Sequence, residues 1–254
     1  MFYAFLRLVR WPNLLIVILT QCLIYFGLLL PAFTYYNLSL ALDPIHFLLF
    51  VLDTVLITAG GYVINDIIDF QVDLQNRPAK LIINRQILIQ TAYWFYFGLN
   101  LLGFFLAFYL ALYVGQIALA NLFPLAVALL FFYSSHLQRW ALIGNLVIAL
   151  FCAAVPGIVW YAERHAFAEL QALDPGRAGQ IAGILVWYMA FALLSTLYRE
   201  IVKDTEDQQG DLGAAYRTAP IRWGERTAKG LAAAFGFGLA VFMSVMAFSE
   251  SEWL

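Results

Sequence analysis

Seven apolar runs, each about as long as a helix needs to cross the hydrocarbon core of a bilayer, constrain this chain more than any other feature. They fall near residues 13–31, 46–66, 88–112, 116–133, 141–161, 180–199 and 229–248. A crossing of roughly 30 Å takes about 20 helical residues. A segment in hydrocarbon must also satisfy its own backbone polar groups, which a helix does and a lone strand does not. The expected fold class is all-α: a polytopic membrane helix bundle of about seven transmembrane helices, forming one domain over residues 1–254. Composition agrees, with 63% hydrophobic and 12% charged residues, against about 45–50% and about 25% in soluble domains. Tyr and Trp recur near the ends of the runs, where amphipathic rings prefer the headgroup level.

Several classes drop out at this point. The net charge of -2, with no basic stripe outside the loops, leaves no reason to expect a nucleic-acid partner. Cys22 and Cys152 lie inside apolar runs with no His or Cys at metal spacing, so structural roles are expected for both. The first run, Leu14 to Leu30, is too long for a signal-peptide core and lacks a small-x-small cleavage site, so it is read as a retained span.

Loop charge sets the expected orientation. If the spans alternate, Arg7, Arg10, Arg77, Lys80, Arg85, Arg139, Arg199, Lys203, Arg217, Arg222, Arg226 and Lys229 share one side, and only Arg164 and Arg177 face the other. By the positive-inside rule the N-terminus is cytoplasmic. Two cytoplasmic loops, about 67–87 and 199–228, mix basic residues with clustered carboxylates. The opposite loop, 162–179, contains Asp174-Pro175-Gly176, a turn signal, and is read as a solvated connection.

The second span ends in Asn65-Asp66-Ile67-Ile68-Asp69-Phe70-Gln71-Val72-Asp73. If the helix continues, Asp66, Asp69 and Asp73 stand at i, i+3, i+7 and converge on one face with Asn65. Asp204, Asp207 and Asp211 repeat that spacing after the sixth span. Like charges at such spacing repel unless a cation joins them. Oxygen-only clusters suit hard cations, and magnesium favours a few carboxylates completed by water and substrate phosphates. Arg77, Lys80, Arg85 and Lys203 lie beside the acids, where they can meet phosphate oxygens. The competing view, charged flanks that merely orient the spans, fits the basic residues singly. It fits the duplicated aspartates poorly, because an Asp in a span costs roughly 2.5–3.5 kcal/mol on insertion scales.

At these residues the chain resembles the UbiA superfamily of intramembrane aromatic and lipid prenyltransferases. Asn65 to Asp73 matches its N-D-x-x-D-x-x-x-D motif at every defined position. Further matches are Arg10-Trp11-Pro12-Asn13, Asn76-Arg77-Pro78 and Leu142-Ile143-Gly144-Asn145. Arg199-Glu200-Ile201-Val202-Lys203-Asp204, with Glu206-Asp207 and Gly210-Asp211, looks most like the digeranylgeranylglyceryl phosphate synthase branch and its bacterial relatives. The resemblance implies a bundle around a central cavity in a bacterial or archaeal cell membrane, and transfer of a polyprenyl group from a prenyl diphosphate donor to a lipophilic acceptor among membrane lipids. It implies catalytic roles for Asp66, Asp69, Asp73, Asp204, Asp207 and Asp211, and Mg2+ at Asn65, Asp69, Asp73, Asp207 and Asp211. Substrate-binding roles are implied for Asn13, Asn65, Arg77, Tyr198 and Lys203, with diphosphate contacts from the last three.

Three departures stand out. Where relatives commonly carry Lys after Tyr-Ser-x-x-Leu, this chain has Gln138. The segment Ala79 to Arg85 lacks the usual proline and glycine, a change that bears on the acceptor. The family usually has nine spans, so two C-terminal helices are expected to be absent from this sequence. The acceptor stays open between an isoprenoid glycerol phosphate and an aromatic quinone precursor such as 4-hydroxybenzoate. Two other classes stand beside the enzyme: a truncated non-catalytic scaffold and an ion-coupled transporter, whose acids belong nearer the midplane. Asp53, roughly 18 Å along the helix from Asn65, is too distant to join the acids and is expected to be a neutral, hydrogen-bonded carboxyl.

Overall fold

A computed structural model describes residues 1–76 and 78–250. Every span expected from the apolar runs is a helix, and seven helices among the described residues are long and apolar enough to cross a membrane. A short helix, α1 (Phe2–Leu8), precedes α2 (Trp11–Ile24), which passes through a π-helical turn at Tyr25–Leu29 into α3 (Leu30–Tyr35). Then come α4 (Pro44–Ile68), α5 (Phe70–Asn76), α6 (Ile89–Val114), α7 (Ile117–Ser135) and α8 (Ile143–Ala162). The remainder is α9 (Arg164–Leu173), α10 (Pro175–Glu206), α11 (Gln208–Gly213), α12 (Ala219–Trp223) and α13 (Glu225–Glu250). The chain is an integral membrane protein.

Local chemistry explains the boundaries. Asp43 caps α4 by accepting the N–H groups of Ile45 and His46, and Pro44 takes a first-turn position where its missing N–H costs nothing. Asp174 accepts the Arg177 N–H in the same way, so Asp174-Pro175-Gly176 opens α10 and is not a loop turn. The 162–179 connection is likewise not a plain solvated loop. It contains α9, which buries Ala166, Phe167 and Leu170, and Glu163, whose carboxylate accepts the Ala41 and Leu42 N–H groups at 2.8 and 3.0 Å.

Packing divides the bundle into two halves. At the end away from the motifs a dense core gathers Tyr25, Leu29, Phe33, Phe47, Leu170 and Ile181. The Tyr25 ring stacks on Phe47 at 3.8 Å, and its hydroxyl donates to the Leu42 carbonyl. Buried Ala149 and Ala153 of α8 stand four residues apart, the small-residue spacing that lets helices approach closely where lipid removes the hydrophobic drive between them. Towards the motif end the helices separate around a cavity.

Candidate active site

Both aspartate motifs lie where a helix breaks. Asp69 ends α4 with φ -82° and ψ 2°, and Asp207 ends α10 with φ -90° and ψ 6°. A short helix restarts after each, and the backbone bond runs on, from Asp73 N–H to the Asp69 carbonyl and from Asp211 N–H to the Asp207 carbonyl. The two breaks are joined directly: Asn76 Oδ1 at the end of α5 accepts the Gly210 N–H of α11 at 2.6 Å. A Cβ on Gly210 would sit 2.4 Å from Asn76 Cγ, so only glycine allows this approach.

Between them lies a cavity of about 1030 Å³. Its polar end is lined by Asn65, Asp66, Asp69, Asp73, Glu206 and Asp207, with Arg7, Arg10, Lys80, Arg199 and Lys203 among them. Its deep part is lined by Val17, Thr54, Thr58, Ala126, Phe151 and Val155 and is mostly apolar. Thr54 precedes Asp66 by about three helical turns, which puts the floor roughly 18 Å below the acids.

The expected set is thus brought together in part. Asn65, Asp66, Asp69, Asp73, Lys203 and Asp207 face one space, and Asn13 joins them, donating from Nδ2 to the Tyr62 hydroxyl at 3.1 Å. The second motif does not repeat the first on its exposed face. Asp204 turns to α8, where it accepts Asn145 Nδ2 at 3.0 Å. Asp211 is buried and accepts the Thr218 hydroxyl at 3.2 Å. The break at Asp207 swings the last aspartate under α12, so equal spacing along the chain does not give one continuous acidic face. Tyr198 packs its ring near Gly236 of α13 and is not among the cavity-lining residues. Arg85 is exposed in a tight turn beside left-handed Asn84 and does not line the cavity either. Arg77 lies outside the described residues. Asp53, expected to be hydrogen-bonded, has no partner at Oδ1 among the described residues.

Several contacts were invisible in the sequence. Arg10, in the left-handed region at φ 52°, donates to Asp66 Oδ1 at 2.8 Å and lies over the Tyr62 ring. Asp69 is held by three neutral donors: Asn65 Nδ2 at 2.8 Å, Gln138 Nε2 at 2.6 Å and the Tyr216 hydroxyl at 3.3 Å. Burial pushes the Asp69 carboxyl up to about 7 against the opposing pull of Lys203, and pushes Asp211 up to about 6. Asp73 is raised by burial and then by Asp66. Acids so placed gain from a proton or a cation.

The donor set fits a hard divalent cation such as magnesium. It is all oxygen, and no three His, Cys, Asp or Glu side chains among the described residues already form a closed cage. An ion that completes its shell with water and phosphate oxygens needs no such cage.

The sequence profile of the UbiA prenyltransferase family matches residues 28–254. Digeranylgeranylglyceryl phosphate synthase of Methanosarcina mazei is 31% identical over 251 residues, covering 98% of this chain and 80% of that protein. The enzyme of the same name from Methanopyrus kandleri is 33% identical over 190 residues, 73% of this chain and 60% of that protein. That from Thermococcus gammatolerans is 34% identical over 191 residues, and the match spans 62% of its length. Among solved structures, a digeranylgeranylglyceryl phosphate synthase superposes with a TM-score of 0.60 at 22% identity, covering 98% of this chain and 78% of that one. A UbiA homolog from Archaeoglobus fulgidus bound to DMAPP and Mg2+ gives 0.58 at 16% identity, covering 95% and 76%. At those identities the superpositions speak for the fold. With the profile match running through both motifs, and a relative 31% identical across almost the whole chain, the chain belongs to the UbiA prenyltransferase family.

Proposed function

We propose that the chain transfers a polyprenyl group, geranylgeranyl in the first instance, from its diphosphate to an isoprenoid glycerol phosphate, releasing diphosphate. One observation carries this reading: a single cavity joins an acidic and basic mouth, supplied by both motifs, to an apolar interior roughly 18 Å deep. A molecule with a multiply charged head and a long hydrocarbon tail matches both parts. The names of the relatives, digeranylgeranylglyceryl phosphate synthases, support the choice of donor and acceptor.

Asn65, Asp66, Asp69, Asp73 and Asp207 are the residues that would hold magnesium, with Asp204 and Asp211 behind them as braces to α8 and α12. Bound magnesium neutralises charge on the diphosphate and makes it a better leaving group. Lys203, Lys80 and Arg199 present cations to phosphate oxygens at the same mouth. The apolar walls keep water from the allylic carbon while its bond to oxygen weakens. The mouth, the N-terminus and both motifs belong on the cytoplasmic side.

The test is transfer of labelled geranylgeranyl diphosphate by the purified chain in lipid, with Mg2+ or EDTA, against a glycerol-phosphate lipid and 4-hydroxybenzoate. Product on the glycerol phosphate that disappears with EDTA, Asp69→Ala or Asp207→Ala is expected. Product on the aromatic ring alone would replace the acceptor. No product with any acceptor from folded protein would leave a non-catalytic scaffold.

A further inference from the structure

Gln138 lies in the connection between α7 and α8, and its side chain reaches the first aspartate motif from behind. It does not line the cavity, whereas its two partners Asn65 and Asp69 do. Its Nε2 donates to the Ser134 carbonyl at 2.5 Å and to Asp69 Oδ1 at 2.6 Å. Its Oε1 accepts Asn65 Nδ2 at 3.0 Å, and that same Nδ2 donates to Asp69 Oδ2 at 2.8 Å.

These bonds have a forced direction. A backbone carbonyl only accepts, so Ser134 obliges Gln138 to turn its NH2 towards it and towards Asp69. The Gln138 oxygen then faces Asn65, which must answer with its own NH2. Asn65 Oδ1 is left pointing the other way, where it accepts Arg10 Nη2 at 3.4 Å, and Arg10 is itself a cavity-lining residue. An amide presents either an oxygen or an NH2, and only the oxygen can ligate a hard cation. The backbone under Gln138 is fixed too: a Cβ on Gly144 would fall 2.7 Å from Gln138 Cα, so the start of α8 presses directly on this loop.

We propose that Gln138 is a positioning residue for the cation site: through a chain that begins at the Ser134 carbonyl, it sets Asn65 with its oxygen towards the cavity and holds Asp69 beside it. The inference rests on the reading of this mouth as a magnesium site. Gln138 itself touches neither cation nor substrate. Because the bracing group is a neutral amide, it orients the acids without supplying a competing positive charge.

The experiment is titration of Mn2+, as a spectroscopic stand-in for Mg2+, into the full chain in lipid nanodiscs loaded with geranylgeranyl thiodiphosphate, a slowly reacting donor analogue that supplies the phosphate oxygens, followed by loss of the free-ion EPR signal beyond that seen in loaded nanodiscs without protein. Wild type, Asp69→Ala, Gln138→Met and Gln138→Lys are compared, with the thermal midpoint of each recorded without the ion. Gln138→Met keeps the bulk and removes all three bonds. Gln138→Lys keeps a donor for Asp69 and Ser134 but gives Asn65 no acceptor and adds a cation. Both Gln138 variants are expected to weaken Mn2+ uptake about tenfold or more, the usual cost of losing an outer-sphere partner, and Lys does not rescue. Should Gln138→Met fail to fold, Gln138→Leu, equally neutral, decides the question, because the charge added by Gln138→Lys opposes cation uptake whatever the role of Gln138. Uptake lost in Asp69→Ala but unchanged in the Gln138 variants overturns this proposal and leaves the magnesium reading standing. A wild type that takes up no Mn2+, or takes it up as Asp69→Ala does, overturns both.

Discussion

Two residues show how much of the site depends on partners remote in sequence. Arg10 and Asp66 form an ion pair at 2.8 Å, with the arginine side chain 38% exposed, so water screens part of the attraction. A double-mutant cycle on Arg10→Ala and Asp66→Asn, read by thermal unfolding, is expected to give a coupling of about 1 kcal/mol; additive effects would mean the pair contributes nothing. Gly210 offers a sharper test, because any side chain there collides with Asn76. Gly210→Ala is expected to cost about 1–3 kcal/mol, as overpacking does, and to depress transfer by separating the two motifs. Unchanged unfolding and turnover would show that α5 and α11 do not need to touch. Asn65 and the first three aspartates were legible from spacing alone, since a helix end brings them together by local geometry. Gln138 and Tyr216 were not, because their roles arise from loops folded over the motif.

Among the elements, the clasps opposite the motifs carry a pH signature. Asp43 is held below the ordinary carboxylate range first by the Tyr113 hydroxyl and then by the His46 N–H, and Asp174 first by the Tyr36 hydroxyl and then by the Arg177 N–H. A depressed carboxyl stabilises the fold fully above its unfolded value, near 3.8, and loses that contribution as pH falls through its lower folded value. Thermal midpoints should therefore drop below pH 3.8, and Asp174→Asn should flatten part of that fall. An identical acid limb in the variant would show that the Tyr36–Asp174 bond does not couple α3 to α10. These caps explain why α10 starts at Pro175, before its apolar run begins. Hydropathy marks what lipid covers, and capping marks where the helix starts.

Across the whole molecule, the separation of a packed half from a hollow half makes the cavity long, and length should select the donor. Val155 lines the deep end and its carbonyl accepts Gln21 Nε2 at 3.3 Å. Val155→Phe fills that end without touching either motif. Its expected effect is about a tenfold fall in transfer from geranylgeranyl diphosphate with transfer from geranyl diphosphate retained, a shift of about 1.4 kcal/mol. Equal losses with both donors would mean that the tail does not run along this wall.

The sequence by itself determined that this chain crosses a membrane as a helical bundle, where its spans lie, and that two aspartate clusters mark one end. Those features are written locally, in runs of apolar residues and in spacings of three and four. Only the tertiary structure decided which acids share the cavity. Equivalent positions diverged: Asp73 faces the opening while Asp211 is buried against Thr218, and Asp66 faces Arg10 while Asp204 turns to Asn145. The two motifs carry the same local code, but each meets a different neighbour across the bundle, and a side chain's exposure is set by that neighbour.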